Sequence, residues 1–233
     1  MPASAVIYVA NIAGSNVSSG NWTASGLPAG TKAGDLVVAC IACRNTETMT
    51  ANSTDWTTLH TSFTGNNNTT ASSGKGSILV AYHRYKGTNP DFVFLRTGGD
   101  AARGTLITLR GAAQTNNGIG NTSLLVATAA TVTANTGTLN AGAGSFLLMV
   151  LAGGCDATTS GANAATDPVA AGWTERYDAN TTTGSDTTLM IATATKGAAG
   201  ATGTFNCTSS VSSFHVLTVT EILPRLAQRY NTS

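Results

Sequence analysis

The groups in this sequence able to catalyse a reaction or hold a metal are its histidines, cysteines and carboxylates, and their spacing argues against both. His60, His83 and His215 stand far apart, and none lies at a metal-ligand spacing from a cysteine or carboxylate. Cys40 and Cys43 form the one close cysteine pair. Residues three apart in a strand point to opposite faces, so the pair is read as buried reduced thiols rather than half a metal site. Cys155 and Cys207 fall in one stretch of chain, and the sequence does not decide whether they meet. Asp35, Asp100, Asp156, Asp167 and Asp186 are scattered over predicted loops, so only the fold can bring two of them together as a glycosidase pair. There is no Gly-x-Ser-x-Gly elbow, and Gly98-Gly99-Asp100-Ala101-Ala102-Arg103-Gly104 lacks the Lys-Ser/Thr ending of a phosphate loop, so it reads as a turn. Asp156, Asn163 and Asp167 place three oxygen donors in one long loop without the spacing of an EF-hand. The expectation is a protein with no catalytic residue, no metal and no cofactor.

The elements that position these residues are predicted to be strands. Of the 233 residues, 10% are charged, and the formal net charge of +1 comes with no basic run able to neutralise adjacent phosphates, which argues against nucleic acid as a partner. The apolar runs Leu36–Ala42 and Phe146–Ala152 are far shorter than the ~20 residues of a membrane-spanning helix, so no membrane partner is expected. Met1-Pro2-Ala3-Ser4-Ala5 shows no recognisable secretory signal, and sequons such as Asn16-Val17-Ser18 are read as a by-product of Asn and Thr richness. Short apolar runs separated by clusters such as Gly65-Asn66-Asn67-Asn68-Thr69-Thr70, with Thr and Val abundant, are the pattern of a β-sandwich.

The chain also repeats itself at a period of roughly 110 residues. Ala33-Gly34-Asp35-Leu36-Val37-Val38-Ala39 lies over Ala143-Gly144-Ser145-Phe146-Leu147-Leu148-Met149, and Asp55-Trp56-Thr57 over Gly172-Trp173-Thr174. Ser77–Gly87 lies over Thr187–Gly197, and Gly104–Leu109 over Phe214–Val219. The organisation expected is all-β: two tandem jelly-roll-like antiparallel sandwich modules from an internal duplication, at 1–113 and 121–223, with Gly111–Gly120 as linker and 224–233 as a C-terminal tail. Trp56, Trp173, Gly34 and Gly144 occupy equivalent places in both halves and are assigned structural roles. Trp22 faces Val132 in this alignment, while Tyr82, Arg84 and Tyr85 face Ala192, Ala194 and Thr195. A large aromatic or a cation found in one copy only is not demanded by a shared fold, so these four are the candidate binding residues. Alternation puts Tyr82 and Arg84 on one sheet face and Tyr85 on the other.

The succession Gly34-Asp35-Leu36-Val37-Val38-Ala39, Asp55-Trp56-Thr57, Val80-Ala81-Tyr82-His83-Arg84-Tyr85-Lys86 and Thr108-Leu109-Arg110-Gly111 resembles modules of tailed-phage structural proteins. The second half departs from that pattern, with Ser145 for the Asp, Thr193-Ala194-Thr195 for the Tyr-rich stretch, and Thr220-Glu221 aligned with Arg-Gly. The resemblance implies β-sandwich modules of a virion made in the bacterial cytoplasm. Their partners are other capsid or tail proteins and further copies of the same chain, by analogy as a trimer. A non-enzymatic capsid decoration or cement protein is the favoured expectation. The alternative is a tail-fibre or carbohydrate- and receptor-binding protein, with Trp22 beside Asn21 and Asn16 stacking on a glycan.

Overall fold

The computed structural model describes residues 5–44, 47–63, 76–98, 100–126, 131–136, 139–155, 165–166, 172–181, 186–202 and 205–225. The first half supplies β1 (Ile7–Ala13), β2 (Trp22–Thr23), β3 (Leu36–Arg44), β4 (Met49–Ala51), β5 (Thr57–Phe63), β6 (Gly76–Arg84), β7 (Val93–Arg96) and β8 (Ala102–Arg110). They form a five-stranded antiparallel sheet in the order β1-β8-β3-β6-β5 and a three-stranded sheet in the order β2-β7-β4. The interleaved orders 1-8-3-6 and 2-7-4 are the winding of a jelly roll, with β5 hairpinned onto β6 at the edge of the larger sheet.

The second half supplies β9 (Ile119–Val126), β10 (Thr131–Thr136), β11 (Asn140–Ala141), β12 (Phe146–Cys155), β13 (Ala165–Thr166), β14 (Thr174–Asn180), β15 (Asp186–Thr195), β16 (Gly200–Ala201) and β17 (Phe205–Ile222). The C-terminal part of β17 lies between β9 and β12, giving β9-β17-β12-β15-β14, while its N-terminal part lies between β10 and β13. One uninterrupted strand thus does the work of β7 and β8 together, and the two halves share a single strand order. A two-stranded ribbon of β11 and β16 is added.

The large sheets stack against each other. In β3 the even residues Leu36, Val38, Cys40 and Ala42 face Phe146, Leu148, Val150 and Ala152 of β12 in one core. The odd residues Val37, Ala39, Ile41 and Cys43 face Trp22, Met49 and Phe94 of the small sheet. Leu147, Met149 and Leu151 repeat that outward role in β12, packing with Trp173 and Leu139. Being covered on both sides explains why β3 reads as a continuous apolar run without alternation. The stacking is reciprocal: β3 lies against β12, β8 against β15, and β6 against β17. Each contact is matched by its counterpart with the halves exchanged, the pattern of a two-fold interface between like subunits. Fully burying a large aliphatic side chain contributes about 1.5–3 kcal/mol, so a seam of this many makes one body of the two modules.

The observed register corrects the sequence alignment. Leu36 pairs with Arg84 and with Leu109, whereas Phe146 pairs with Thr195 and with Ile222. The counterparts of Tyr82, Arg84 and Tyr85 are therefore Thr193, Thr195 and Lys196, one residue beyond the alignment. Arg110-Gly111 corresponds to Leu223-Pro224, not to Thr220-Glu221. Runs of Thr, Ala and Val carry no landmark that fixes a register, and a one-residue slip exchanges the two faces of a strand.

A polar cleft beside the linker as the candidate functional site

The turn before β3 is built from the residues that carry the repeat. Gly34 has φ 93° and Gly144 φ 75°, a left-handed backbone that suits glycine. Asp35 Oδ2 accepts a hydrogen bond from Lys32 N at 2.8 Å, and the carboxylate receives Arg110 as a fork, Nε to Oδ1 at 2.9 Å and Nη2 to Oδ2 at 2.7 Å. In the second module Ser145 replaces the Asp, and the acceptor comes from the strand instead. Glu221 Oε1 takes hydrogen bonds from Gly142 N at 2.7 Å and Ser145 Oγ at 2.6 Å, and Oε2 one from Asn121 N at 3.0 Å. Burial works to raise the pKa of Glu221, but these hydrogen bonds outweigh it and hold the carboxyl below its ordinary value.

The linker is clamped onto this turn. Arg84, the last residue of β6, donates from Nη1 to Gly34 O at 3.0 Å and from Nη2 to Ala113 O at 2.6 Å and Asn117 O at 2.8 Å. Between those carbonyls the chain makes a tight 3₁₀ turn at Thr115–Gly118, in which Asn116 and Asn117 are left-handed at φ 48° and 52°. Asn117 Nδ2 also donates to the Tyr82 hydroxyl at 3.2 Å. Removing a charged donor that serves three carbonyls is expected to cost about 2–3 kcal/mol. Arg84→Ala should therefore lower the urea midpoint and speed amide exchange in 112–118, and an unchanged exchange rate there would show that the clamp is idle.

A cleft of about 390 Å³ opens between the loop before β5, the end of β6, the loop after it and Asn117. Tyr82 and Arg84 line it, together with Thr57, Lys86, Thr88 and Asn89. His83 lies at its inner wall, only 8% exposed, and donates from Nδ1 to Asp55 O at 2.8 Å. Its ring packs against Trp56 at 5.7 Å, and Trp56 Nε1 in turn donates to Asp91 O at 2.7 Å. Trp56 and Trp173 are both core residues, as the shared fold requires.

The sequence candidates are divided by the structure. Trp22 is not a surface platform: it is 0% exposed, packs on Phe94 at 5.6 Å, and lies over Gly14 and Gly104, where any Cβ would collide with its ring. It is an extra core aromatic that these two glycines make room for. Tyr85 packs toward the same core, and its backbone bonds to Gly34 and Asp35. Tyr82 and Arg84 do share a face and reach the cleft, but the Arg84 guanidinium is already committed to the chain's own carbonyls. The Asp156, Asn163 and Asp167 cluster lies outside the described residues, as do the tail from Leu226 onward and the side chains of Cys155 and Cys207.

Sequence reading missed Asn117, Lys86 and Asn89 in the cleft, and also a buried ion pair elsewhere. Arg96 Nη1 lies 3.2 Å from Glu47 Oε2, with both side chains almost wholly enclosed, and Arg96 also donates to Gly20 O and Asp100 O. The Asn116-Asn117-Gly118 run was the available signal for the turn, since Asn and Gly tolerate left-handed backbone. Cys40 and Cys43 are free and buried, and burial drives the Cys43 thiol up to about 12, which makes it inert at neutral pH. Among the described residues no three His, Cys, Asp or Glu side chains stand close enough to hold a metal. No helix among them is long and apolar enough to cross a membrane.

Fold and site together define a tandem jelly-roll-like antiparallel sandwich with a polar cleft beside its linker. No family model, no curated protein and no solved structure matches the chain.

Proposed function

We propose that this protein is a non-enzymatic structural component of a tailed-phage particle, of the capsid decoration or cement kind, acting as a homo-oligomer through protein–protein contacts on the particle surface. The observation that supports this reading best is the use made of the charged side chains. Arg110 braces Asp35, Arg96 braces Glu47, Arg84 clamps the linker and Glu221 holds a turn. Six charged side chains are thus committed to rigidity, which a particle-bound protein needs. The resemblance supplies the class, and its words Gly-Asp and Arg-Gly acquire a physical reason, because Asp35 and Arg110 are partners in one brace.

The test is the mass of the purified protein in solution by light scattering, with co-sedimentation on heads of the encoding phage stripped of their accessory proteins. A stable oligomer that binds the head lattice at saturating stoichiometry supports the proposal. A monomer indifferent to heads rejects it.

A further inference from the structure

We propose that the cleft beside the linker binds a saccharide unit carrying a carboxylate, an inference that does not depend on the virion reading. Its volume of about 390 Å³ falls within the ~300–1,000 Å³ of small-molecule sites. Its lining, however, is hydroxyl and amide rather than aliphatic. Thr57, Thr88, Asn89, Asn117 and the Tyr82 phenol each offer both a donor and an acceptor. That mixture matches sugar hydroxyls, which must give and receive hydrogen bonds at once.

Two further observations bear on the site. It is peculiar to one copy of a repeated architecture: the residues that stand where Tyr82, His83 and Arg84 stand are Thr193, Ala194 and Thr195. The shared fold is complete without a phenol, an imidazole or a guanidinium there. The cleft is also preformed, because the left-handed Asn117 is pinned through its carbonyl by Arg84 and bonds through its side chain to Tyr82. Residues held in sparsely populated backbone regions gather at ligand clamps, and a fixed wall lowers the ordering cost of binding.

The acidic substituent follows from Lys86, which is exposed at the rim and has no carboxylate within ion-pair distance among the described residues. The lining sets two basic side chains, Arg84 and Lys86, against one acidic one, Asp55, which accepts the Ser53 hydroxyl at 3.1 Å. Lys86 is thus the cation left to meet a ligand charge.

The experiment is saturation-transfer NMR and calorimetric titration of the full chain with glucuronic and galacturonic acids, and with glucose and galactose as neutral counterparts. The expected result is binding of at least one acid in the millimolar range, roughly fivefold tighter than its neutral counterpart, as one exposed ion pair allows. Lys86→Gln should erase that preference, and Asn89→Ala should weaken acid and neutral sugar alike. Both substitutions lie at exposed positions, so unchanged thermal midpoints verify the fold. Absence of binding by all four sugars overturns the proposal. So does binding that neither variant alters, which puts the sugar elsewhere, and so does equal affinity for an acid and its neutral counterpart.

Discussion

Replacing Trp22 with alanine should lower the unfolding free energy by about 3–5 kcal/mol, as expected for truncating a large, fully buried aromatic. The ring fills the space between the small sheet and the large one. It packs on Phe94 and is bounded below by Gly14 and Gly104, neither of which has a side chain to collapse into the void. Relaxation is therefore poor, and the loss should fall in the upper part of that range. Urea unfolding followed by far-UV circular dichroism measures it as a fall in midpoint at unchanged slope. A loss under about 1 kcal/mol would mean that the indole is not the keystone of this core. The complementary change, Gly104→Val, puts a Cβ 2.5 Å from Trp22 Cε2 and should destabilise by overpacking. Saccharide binding by the Trp22→Ala protein should remain intact wherever it is still folded.

Acidification from pH 7 to pH 4 should remove about 3 kcal/mol of stability through one residue. His215 is fully buried opposite Gly153 in the β12–β17 pairing, and burial pushes its pKa from 6.5 down to about 4. The unfolded chain binds a proton near pH 6.5 while the folded chain resists until about pH 4. Unfolding is thus favoured as pH falls through that window, and stability is fully present above it. His60, also lowered by burial, acts in the same direction. Glu47 works oppositely: burial raises its pKa against the pull of the Asp100 amide and Arg96, so its contribution to stability falls as pH rises through the carboxylate range. Chemical denaturation at a series of pH values should show the slope, and His215→Gln should flatten it. A slope that survives the substitution would assign the acid sensitivity elsewhere.

Fold class was legible because burial leaves marks that composition preserves. Leu36–Cys43 and Phe146–Leu151 are apolar at every position, as central strands covered on two sides must be, and the Gly34 and Gly144 turns announce where they start. The stacking of one large sheet on the other was not legible, since a strand buried on both faces does not say what lies on either. Register within the repeat was lost to the uniformity of Thr and Ala. The single-copy criterion singled out Tyr82 and Arg84, which the structure places in the lining of the cleft, and Trp22, which it buries in the core, because a core admits an extra aromatic when facing positions shrink to glycine. Asn117 was hidden for a different reason: it is brought to Tyr82 by a turn of the linker, a contact without any periodic trace. The Asp35 to Ser145 change looked like decay of a motif. The structure shows that Arg110 disappears with its partner, Leu223 standing in its place, while Glu221 restores the missing acceptor.

The clamped linker also fixes where the described chain enters and leaves. Ala5 lies directly against Gly111, where a Cβ would collide with the Ala5 carbonyl, and Arg225 N donates to Gly111 O at 2.7 Å. Chain entry, crossover and exit meet at one corner, so a pull applied through both ends is borne there by a few hydrogen bonds in series. A pull applied at Ala5 and one applied at Arg225 would therefore load that same corner.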